Sequence, residues 1–330
     1  MPRRRTVALG VLAALGAPAL LRAAPLDDIA ERARGLDQLH ALVIRRGGAP
    51  LLEIAPRGPG LDRVANVKSV SKTLLALMTG IAFARGVLPG PDARLLPLLG
   101  RDPAGDARDD ITLGYLLSMR AGLDSTSGGN YGAWINSDDW VDAALAQPMR
   151  SEPGGRFIYS TGGWHLLGAA LARQAGDDLL GLARGWLGAP LGIDFAPWDR
   201  DPQGRYMGGN QMAVSPRGLA RIGEMVLADG AWAGEQVVPS DWIETSWDRR
   251  ARSPFSRDGY GYGWFLTRLD GRFAAYGRGY GGQVLAVVPD LALVVAITSD
   301  PTLPARSGGY FGTLRGLMED AVRAAAITEG

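Results

Sequence analysis

Cysteine is absent from the 330-residue sequence, and only two residues are histidine, His40 and His165. The lack of cysteine excludes disulfides, Cys-ligated zinc and thiol catalysis. The two histidines are far apart and belong to no H-E-x-x-H pattern or recognisable Ser-His-Asp motif. We therefore predict neither a metal site nor a bound cofactor.

Lysine is almost absent as well, since Lys68 and Lys72 stand against 33 arginines. A bias that replaces surface lysine by arginine would leave lysine where chemistry requires it, because a buried lysine can give up its proton and arginine cannot. The sequence around Lys72 favours this interpretation. Lys68 can equally be a chance survivor.

Neither sign of charge is in excess, because 35 basic residues face 34 acidic ones. This balance gives no electrostatic footprint for nucleic acid, so we predict no nucleic-acid partner. With 46% apolar and 21% charged residues, the composition is that of a globular protein with a sizeable core.

The first 24 residues are organised like a signal peptide. Arginines at 3–5 precede an uncharged run at 7–21, and the small residues Ala23 and Ala24 follow. This order predicts export to the periplasm or beyond, with no stable membrane insertion after cleavage. The paired arginines also fit a twin-arginine signal. An uncleaved membrane anchor is the alternative.

Strand patterns occur at both ends of the chain, with helical patterns between them. We predict a hairpin at 39–54 and antiparallel strands at 261–266, 273–276, 284–288 and 291–298. Apolar spacing predicts helices at 69–84, 113–119, 140–146, 164–175, 216–227 and 311–326, and a loop at 123–135. The predicted fold is α+β: one antiparallel sheet built from both termini and flanked by helices. It forms a single domain, 25–330, with a mostly helical insertion at about 87–250.

The segment 69–72, Ser-Val-Ser-Lys, forms an S-x-x-K pattern at the predicted start of a helix. The i, i+3 spacing places Ser69 and Lys72 on one face. The Ser69 amide lies among the unpaired N–H groups of the helix start, where it can stabilise an oxyanion, and a desolvated Lys72 can accept the serine proton. Four-residue patterns also occur by chance, but scarce lysine strengthens this one.

Two further segments carry candidate chemistry. Tyr159, on the predicted loop before a helix, can act as a base if the charge of Lys72 lowers its pKa, although alone it is more typical of a half-buried structural tyrosine. The glycine-rich run 277–283 lets the backbone approach a ligand closely. It also matches G-x-G-x-x-G, but the strands predicted on both sides exclude a dinucleotide loop.

Taken together, the S-x-x-K, the Tyr159 segment and the glycine-rich strand resemble the β-lactamase-like serine hydrolases. This family includes class C β-lactamases, D-amino-acid peptidases, esterases and nylon-oligomer hydrolases. The resemblance implies Ser69 as the acylated nucleophile, Lys72 as its proton partner and Tyr159 as acid or base. It also implies an oxyanion hole made by the amides of Ser69 and Tyr280, the residue after Gly279.

The third motif departs from the β-lactamase members, which carry Lys-Thr-Gly where this chain has Gly-Arg-Gly at 277–279. That lysine and threonine grip the carboxylate of a β-lactam, so the resemblance favours the esterase and 6-aminohexanoate-oligomer hydrolase branch. It implies Tyr131, Asn210, Arg278 and Gly279 as candidate substrate-binding residues. Loop packing is the alternative for Tyr131 and Asn210, and Arg278 can equally be a solvated surface arginine.

These observations predict a serine hydrolase that cleaves a small ester or linear amide through a Ser69 acyl-enzyme. A D-amino-acid peptidase or a weak class C-like β-lactamase is the enzymatic alternative. A non-catalytic penicillin-binding-like protein is the alternative from another class. The expected partner is the small-molecule substrate, and the sequence predicts nothing about the oligomeric state.

Overall fold

The computed structural model describes residues 17–327, with side chains from Pro25 onward. Most of the predicted signal peptide therefore lies outside the described residues, and its last part belongs to helix α1 (Ala17–Arg34). Export and cleavage stay predictions. Between residues 17 and 327, no helix combines the length and the apolar character needed to cross a membrane.

One large antiparallel sheet joins the two ends of the chain. The strands, in chain order, are β1 (Leu39–Arg46), β2 (Ala49–Ile54), β3 (Ala65–Asn66), β4 (Phe195–Ala196), β5 (Ala213–Val214), β6 (Ala231–Trp232), β7 (Glu235–Gln236), β8 (Ala251–Arg252), β9 (Gly259–Tyr260), β10 (Phe265–Leu269), β11 (Arg272–Gly279), β12 (Gln283–Val288) and β13 (Leu293–Ser299). The large sheet has the order β2-β1-β13-β12-β11-β10-β9-β8, while β3-β5-β4 and β6-β7 form small sheets. Because β1 lies between β2 and β13, Leu39 pairs with Ser299 from the other end of the chain.

The helices lie mainly between β2 and β8. After α1 come α2 (Ser71–Ala84), α3 (Leu95–Leu98), α4 (Leu113–Leu117), α5 (Tyr131–Ile135), α6 (Trp140–Leu145), α7 (Thr161–Ala175), α8 (Leu179–Ala183), α9 (Ala189–Leu191), α10 (Pro216–Leu227), α11 (Ser240–Ser246) and α12 (Tyr310–Ile327). Short 3₁₀ turns occupy Lys68–Val70, Ala107–Asp110, Gly128–Asn130 and Pro289–Leu291, and a π turn occupies Arg184–Gly188.

Helices cover both faces of the large sheet. On β11, Gly277 packs against α2, and its partner on β12, Leu285, lies against Gly223 of α10. The neighbouring Tyr276 points to the opposite face, where its ring stacks on Phe311 of α12 with centres 6.0 Å apart. A strand covered on both faces buries its side chains on both sides, which explains the unbroken burial along β13.

The sequence prediction of the fold is confirmed. The predicted hairpin is β1–β2, the helix predicted at 216–227 is α10, and the closing helix is α12. The helices predicted at 69–84, 113–119, 140–146 and 164–175 correspond to α2, α4, α6 and α7 with small shifts of their ends.

Two local predictions are wrong in part. The stretch 123–135 is not a plain loop, because it contains a 3₁₀ turn and the short helix α5. The strand predicted at 261–266 starts only at Phe265. The residues before it turn away from the sheet because Gly263 has a φ of 78° and its carbonyl accepts a hydrogen bond from Thr73 Oγ1 of α2 at 2.7 Å.

Candidate active site

Ser69 lies in the 3₁₀ turn Lys68–Val70 that leads into α2. The backbone of Lys68 is in the left-handed region, with φ 47°, a conformation that costs energy for a residue with a side chain. The Lys68 amide donates to Asn66 Oδ1 at 2.8 Å, and its ammonium donates to Gln211 Oε1 at 2.8 Å. These contacts hold the turn and leave Ser69 only half-buried.

Lys72, one helical turn after Ser69, has only 2% of its surface exposed. Its Nζ lies 3.0 Å from Ser69 Oγ, 2.7 Å from the Gly209 carbonyl oxygen and 3.4 Å from Thr161 Oγ1. No carboxylate in the described part of the chain pairs with it. Burial therefore lowers the pKa of Lys72 to about 7, and a lysine that is partly neutral near pH 7 can accept the Ser69 proton.

Tyr159 joins the pair from the segment before α7. Ser125 Oγ donates to its carbonyl at 2.7 Å, and Lys72 Nζ lies 5.0 Å from the centre of its ring. Burial raises the pKa of Tyr159, and a hydrogen bond with Ser69 and the charge of Arg278 only partly oppose this.

The expectation that Lys72 would lower the pKa of Tyr159 is therefore wrong. A buried lysine whose own pKa is about 7 carries only part of a charge near neutral pH, whereas desolvation acts fully on a phenolate. Tyr159 is a protonated phenol at neutral pH, and a phenol in this position is suited to donate a proton rather than to accept one at the start of a reaction.

Segments 65–72 and 209–214 are joined side by side behind the serine. The strands β3 and β5 pair, and next to them the Val67 amide donates to the Met212 carbonyl at 2.9 Å. The Met212 amide donates at 3.0 Å to the hydroxyl of Ser71, which is fully buried and donates in turn to the Lys68 carbonyl. The middle serine of Ser-Val-Ser-Lys is thus a structural tie between the two segments.

The glycine-rich run lies where β11 turns into β12, with strands on both sides as the sequence predicts. A Cβ added to Gly279 would lie 2.5 Å from the Val67 carbonyl oxygen and 3.0 Å from Lys68 Cβ. Only glycine lets the end of β11 lie this close to the turn that carries Ser69. Tyr280 follows in the hairpin loop with 53% of its surface exposed.

Two of the candidate substrate-binding residues contact each other. Asn210 Nδ2 donates to the Tyr131 hydroxyl at 3.0 Å, and burial raises the pKa of Tyr131. Asn210 directly follows Gly209, whose carbonyl binds Lys72. The pair therefore borders the Lys72 side of the site.

Arg278 lies elsewhere. Its guanidinium donates to the Ala305 carbonyl at 2.7 Å and to Ser307 Oγ at 2.8 Å, and it stacks 3.6 Å from the centre of the Phe311 ring. Arg278 alternates with Gly277 and Gly279, so it points to the α12 face of the sheet rather than to the α2 face. It is not a solvated surface arginine, and its charge reaches Tyr159 only at a distance.

Several contacts of the site were not predicted from the sequence. They involve the Gly209 carbonyl, Thr161 Oγ1, the Ser71 hydroxyl and the link from Lys68 to Gln211. The Lys68 ammonium has a defined partner in Gln211, whereas the sequence allowed that Lys68 is a lysine retained by chance. In residues 17–327 no group of three or more His, Asp or Glu residues could hold a metal ion.

Comparison with known proteins identifies relatives over most of the chain. The profile of the family described as Beta-lactamase matches residues 40–310. The 6-aminohexanoate-dimer hydrolase of Paenarthrobacter ureafaciens is 25% identical over an alignment that covers 91% of this chain and 83% of that protein.

Two solved structures show the same fold. EstCE1, described as a hydrolase with promiscuous acyltransferase activity, has a TM-score of 0.74 at 18% identity, covering 93% of this chain and 100% of its own. A penicillin-binding protein homologue from Caulobacter crescentus has a TM-score of 0.72 at 18% identity, covering 92% of this chain and 97% of its own. At these identities the structural likeness concerns the fold alone.

Proposed function

The chain belongs to the β-lactamase family, as its three motifs predict, and on this premise we propose that it is a serine hydrolase acting on a small ester or linear amide through a Ser69 acyl-enzyme. One observation carries the proposal. A half-buried serine hydroxyl lies 3.0 Å from a buried lysine amine whose pKa is lowered to about 7. This pairing supplies a nucleophile and a base for it at neutral pH.

In the acylation step, neutral Lys72 takes the proton of Ser69 while Ser69 Oγ attacks the substrate carbonyl carbon. The leaving alkoxide or amine needs a proton as its bond to carbon breaks. Tyr159, a phenol with a raised pKa, supplies it. The step ends with an ester on Ser69, a Lys72 ammonium and a Tyr159 phenolate.

In the deacylation step, the Tyr159 phenolate takes a proton from water, and the resulting hydroxide attacks the ester carbonyl. Ser69 Oγ leaves and regains its proton from the Lys72 ammonium. All three groups return to their initial protonation states, and the acid is released. The Gly209 carbonyl and Thr161 Oγ1, which lie beside Lys72 Nζ, orient the ammonium that forms during each cycle.

The amides of Ser69 and Tyr280 are the proposed oxyanion hole. The end of β11 lies against Val67 and Lys68, which supports a position for the Tyr280 amide next to Ser69. Two backbone donors fixed by a helix start and a hairpin require no reorganisation as charge develops on the carbonyl oxygen.

The proposed substrate class rests on two considerations. The chain lacks the lysine and threonine of the third motif, and Arg278 binds on the far face of the sheet, so it does not replace that lysine. The relative from Paenarthrobacter ureafaciens is named as a hydrolase of the 6-aminohexanoate dimer, and EstCE1 is described as a hydrolase with promiscuous acyltransferase activity. Both descriptions fit a serine that forms acyl-enzymes in a site without residues that bind the carboxylate of a β-lactam.

The test is intact-mass spectrometry of the purified protein after incubation with p-nitrophenyl esters and, separately, with a penicillin. We expect a transient acyl adduct from the ester that maps to Ser69 and is absent in Ser69→Ala, a variant that should keep the wild-type circular dichroism and Tm. A long-lived penicillin adduct would favour the peptidase alternative. No adduct from esters, penicillin or a serine-directed phosphonate would refute the proposal.

A further inference from the structure

A polar cluster with a buried centre lies behind Lys72 and takes no part in the steps above. At its centre is His165 on α7, which is fully buried. Its Nε2 lies 3.2 Å from Asp201 Oδ2, and Asp201 also binds Arg205 Nε at 2.6 Å. Arg205 in turn donates to both carboxylate oxygens of Asp139, at 3.0 and 3.1 Å.

The hydrogen bonds define the tautomer of His165. The Gly208 amide donates to His165 Nδ1 at 3.2 Å, and an amide N–H can only donate, so Nδ1 must be unprotonated. The proton is therefore on Nε2, where it is donated to Asp201. Burial lowers the pKa of His165 although Asp201 opposes this, which keeps the ring neutral and able to accept from Gly208.

Gly208 and Gly209 pass through a narrow gap between α7 and Lys72. A Cβ added to Gly208 would lie 2.5 Å from the Trp164 carbonyl oxygen. A Cβ added to Gly209 would lie 2.5 Å from Trp164 Cβ and 3.0 Å from Lys72 Cγ. Neither residue has a side chain with which to orient its peptide. The walls of the gap confine the segment, and two hydrogen bonds fix its first peptide: the Gly208 amide donates to His165 Nδ1, and Trp198 Nε1 donates to the Met207 carbonyl at 2.9 Å.

We propose that His165 is a positioning residue for the catalytic lysine: its Nδ1 holds the Gly208 amide at the start of the two-glycine segment, and the carbonyl at the end of that segment, that of Gly209, accepts a hydrogen bond from Lys72 Nζ. Asp201, held by Arg205, keeps the proton on Nε2 and thereby keeps Nδ1 free to accept. The role of the lysine rests on the function proposed above. The hydrogen bonds that link Arg205, Asp201, His165 and the Gly208 amide, which we call the relay, are present in the structure whatever reaction the protein performs.

The relay has a measurable consequence for Lys72. A carbonyl acceptor stabilises the ammonium form, so losing it favours the neutral amine and lowers the pKa of Lys72 further. The groups around Nζ are Ser69, Thr161, the ring of Tyr159 and the Gly209 carbonyl, and none of them is a carboxylate. If the Gly209 carbonyl moves away from Lys72 Nζ, no carboxylate is present to offset the effect on the pKa of Lys72.

Two substitutions of His165 separate its two nitrogens. In His165→Asn, the amide oxygen occupies the place of Nδ1 and can accept from Gly208, while the contact with Asp201 is lost. In His165→Gln, the amide nitrogen occupies the place of Nε2 and can donate to Asp201, while the acceptor for Gly208 is lost. The two variants place a neutral amide in the same pocket, so a merely structural role predicts similar effects from both.

The first readout needs no activity. Because the chain has only two lysines, protein made with isotope-labelled lysine gives two side-chain NMR signals, and Lys72→Met assigns them. We expect the Lys72 titration midpoint to move to lower pH in His165→Gln and to stay near the wild-type value in His165→Asn. Equal midpoints in wild type and both variants, or the reverse order of the variants, would overturn the relay.

The second readout is kinetic. With the ester that acylates Ser69, we expect kcat to fall by roughly 10- to 100-fold in His165→Gln with little change in KM, and most of kcat to be retained in His165→Asn. Equal losses in both variants would reduce His165 to a packing residue. If the wild-type protein forms no acyl adduct, the proposed function fails, while the NMR titration still tests the relay.

Discussion

The buried Lys72 should destabilise the folded state, and replacing it with methionine should make the protein more stable near neutral pH. The ordinary lysine pKa is 10.5 and the folded value is about 7. Between these pH values the unfolded chain binds a proton on Lys72 that the native chain does not, so the free energy of unfolding rises as pH rises. At 1.36 kcal/mol for each pH unit, the penalty is about 4 kcal/mol at pH 7 and about 1 kcal/mol at pH 10.

Methionine removes this penalty and keeps an apolar chain of similar length. It also leaves the Gly209 carbonyl, which lies 2.7 Å from Lys72 Nζ, without its donor, at a cost of about 1–3 kcal/mol. The net expectation for Lys72→Met is a gain of about 1–3 kcal/mol at pH 7 that vanishes or reverses at pH 10. Hydrolase activity should be lost at both pH values.

Urea unfolding of wild type and variant, measured from pH 7 to pH 10, checks this expectation. Taking the difference at each pH cancels the other titrating groups. Lys68→Met is the matched control, because Lys68 is only half-buried and donates to Gln211, so its difference from wild type should change much less with pH. A Lys72→Met difference that is the same at pH 7 and pH 10 would refute the reasoning.

Three further expectations follow from the same geometry. The value of kcat/KM should rise about tenfold from pH 6 to pH 8, because neutral Lys72 is the proposed base and its pKa is about 7; a flat profile would contradict this. Ser71→Ala should lower the free energy of unfolding in urea by about 1–3 kcal/mol, since the Met212 amide loses its buried acceptor; unchanged stability would show that the tie is dispensable. Gly209→Ala should destabilise more than Gly204→Ala in thermal unfolding, because both glycines have a positive φ but only Gly209 lacks space for a Cβ; equal losses would remove the crowding argument.

The sequence predicted the elements that depend on local pattern. The period of apolar residues located α2 and α10, and the turn residues located the hairpin β1–β2. The spacing of Ser69 and Lys72 was readable because one turn of helix brings their side chains within 3.0 Å. The strand patterns at both ends of the chain also predicted that the two ends share one sheet, which is confirmed. That the Tyr159 segment and the glycine-rich strand lie near Ser69 was implied only by the family resemblance.

The remainder of the site depends on tertiary contacts that leave little trace in residue types. The acceptor for Lys72 is a backbone carbonyl, and any residue at 209 would offer the same atom. The direction in which the pKa of Tyr159 shifts depends on how far folding buries its side chain. For Arg278 a signal did exist: alternation along β11 puts it on the face opposite to Gly277 and Gly279, but using this requires knowing which face carries α2.

The pairing of β1 with β13 has a consequence for how the chain acquires its shape. Contacts between the two ends must wait for the whole chain, so the large sheet closes late and folding should be slow for a protein of this size. The turn that carries Ser69 lies against Gly277 and Gly279 of β11, so it remains incomplete until that strand arrives. A ribosome-bound fragment ending before residue 277 would therefore contain Ser69 and Lys72 without an assembled site. We expect the chain to be inactive until its synthesis is nearly finished.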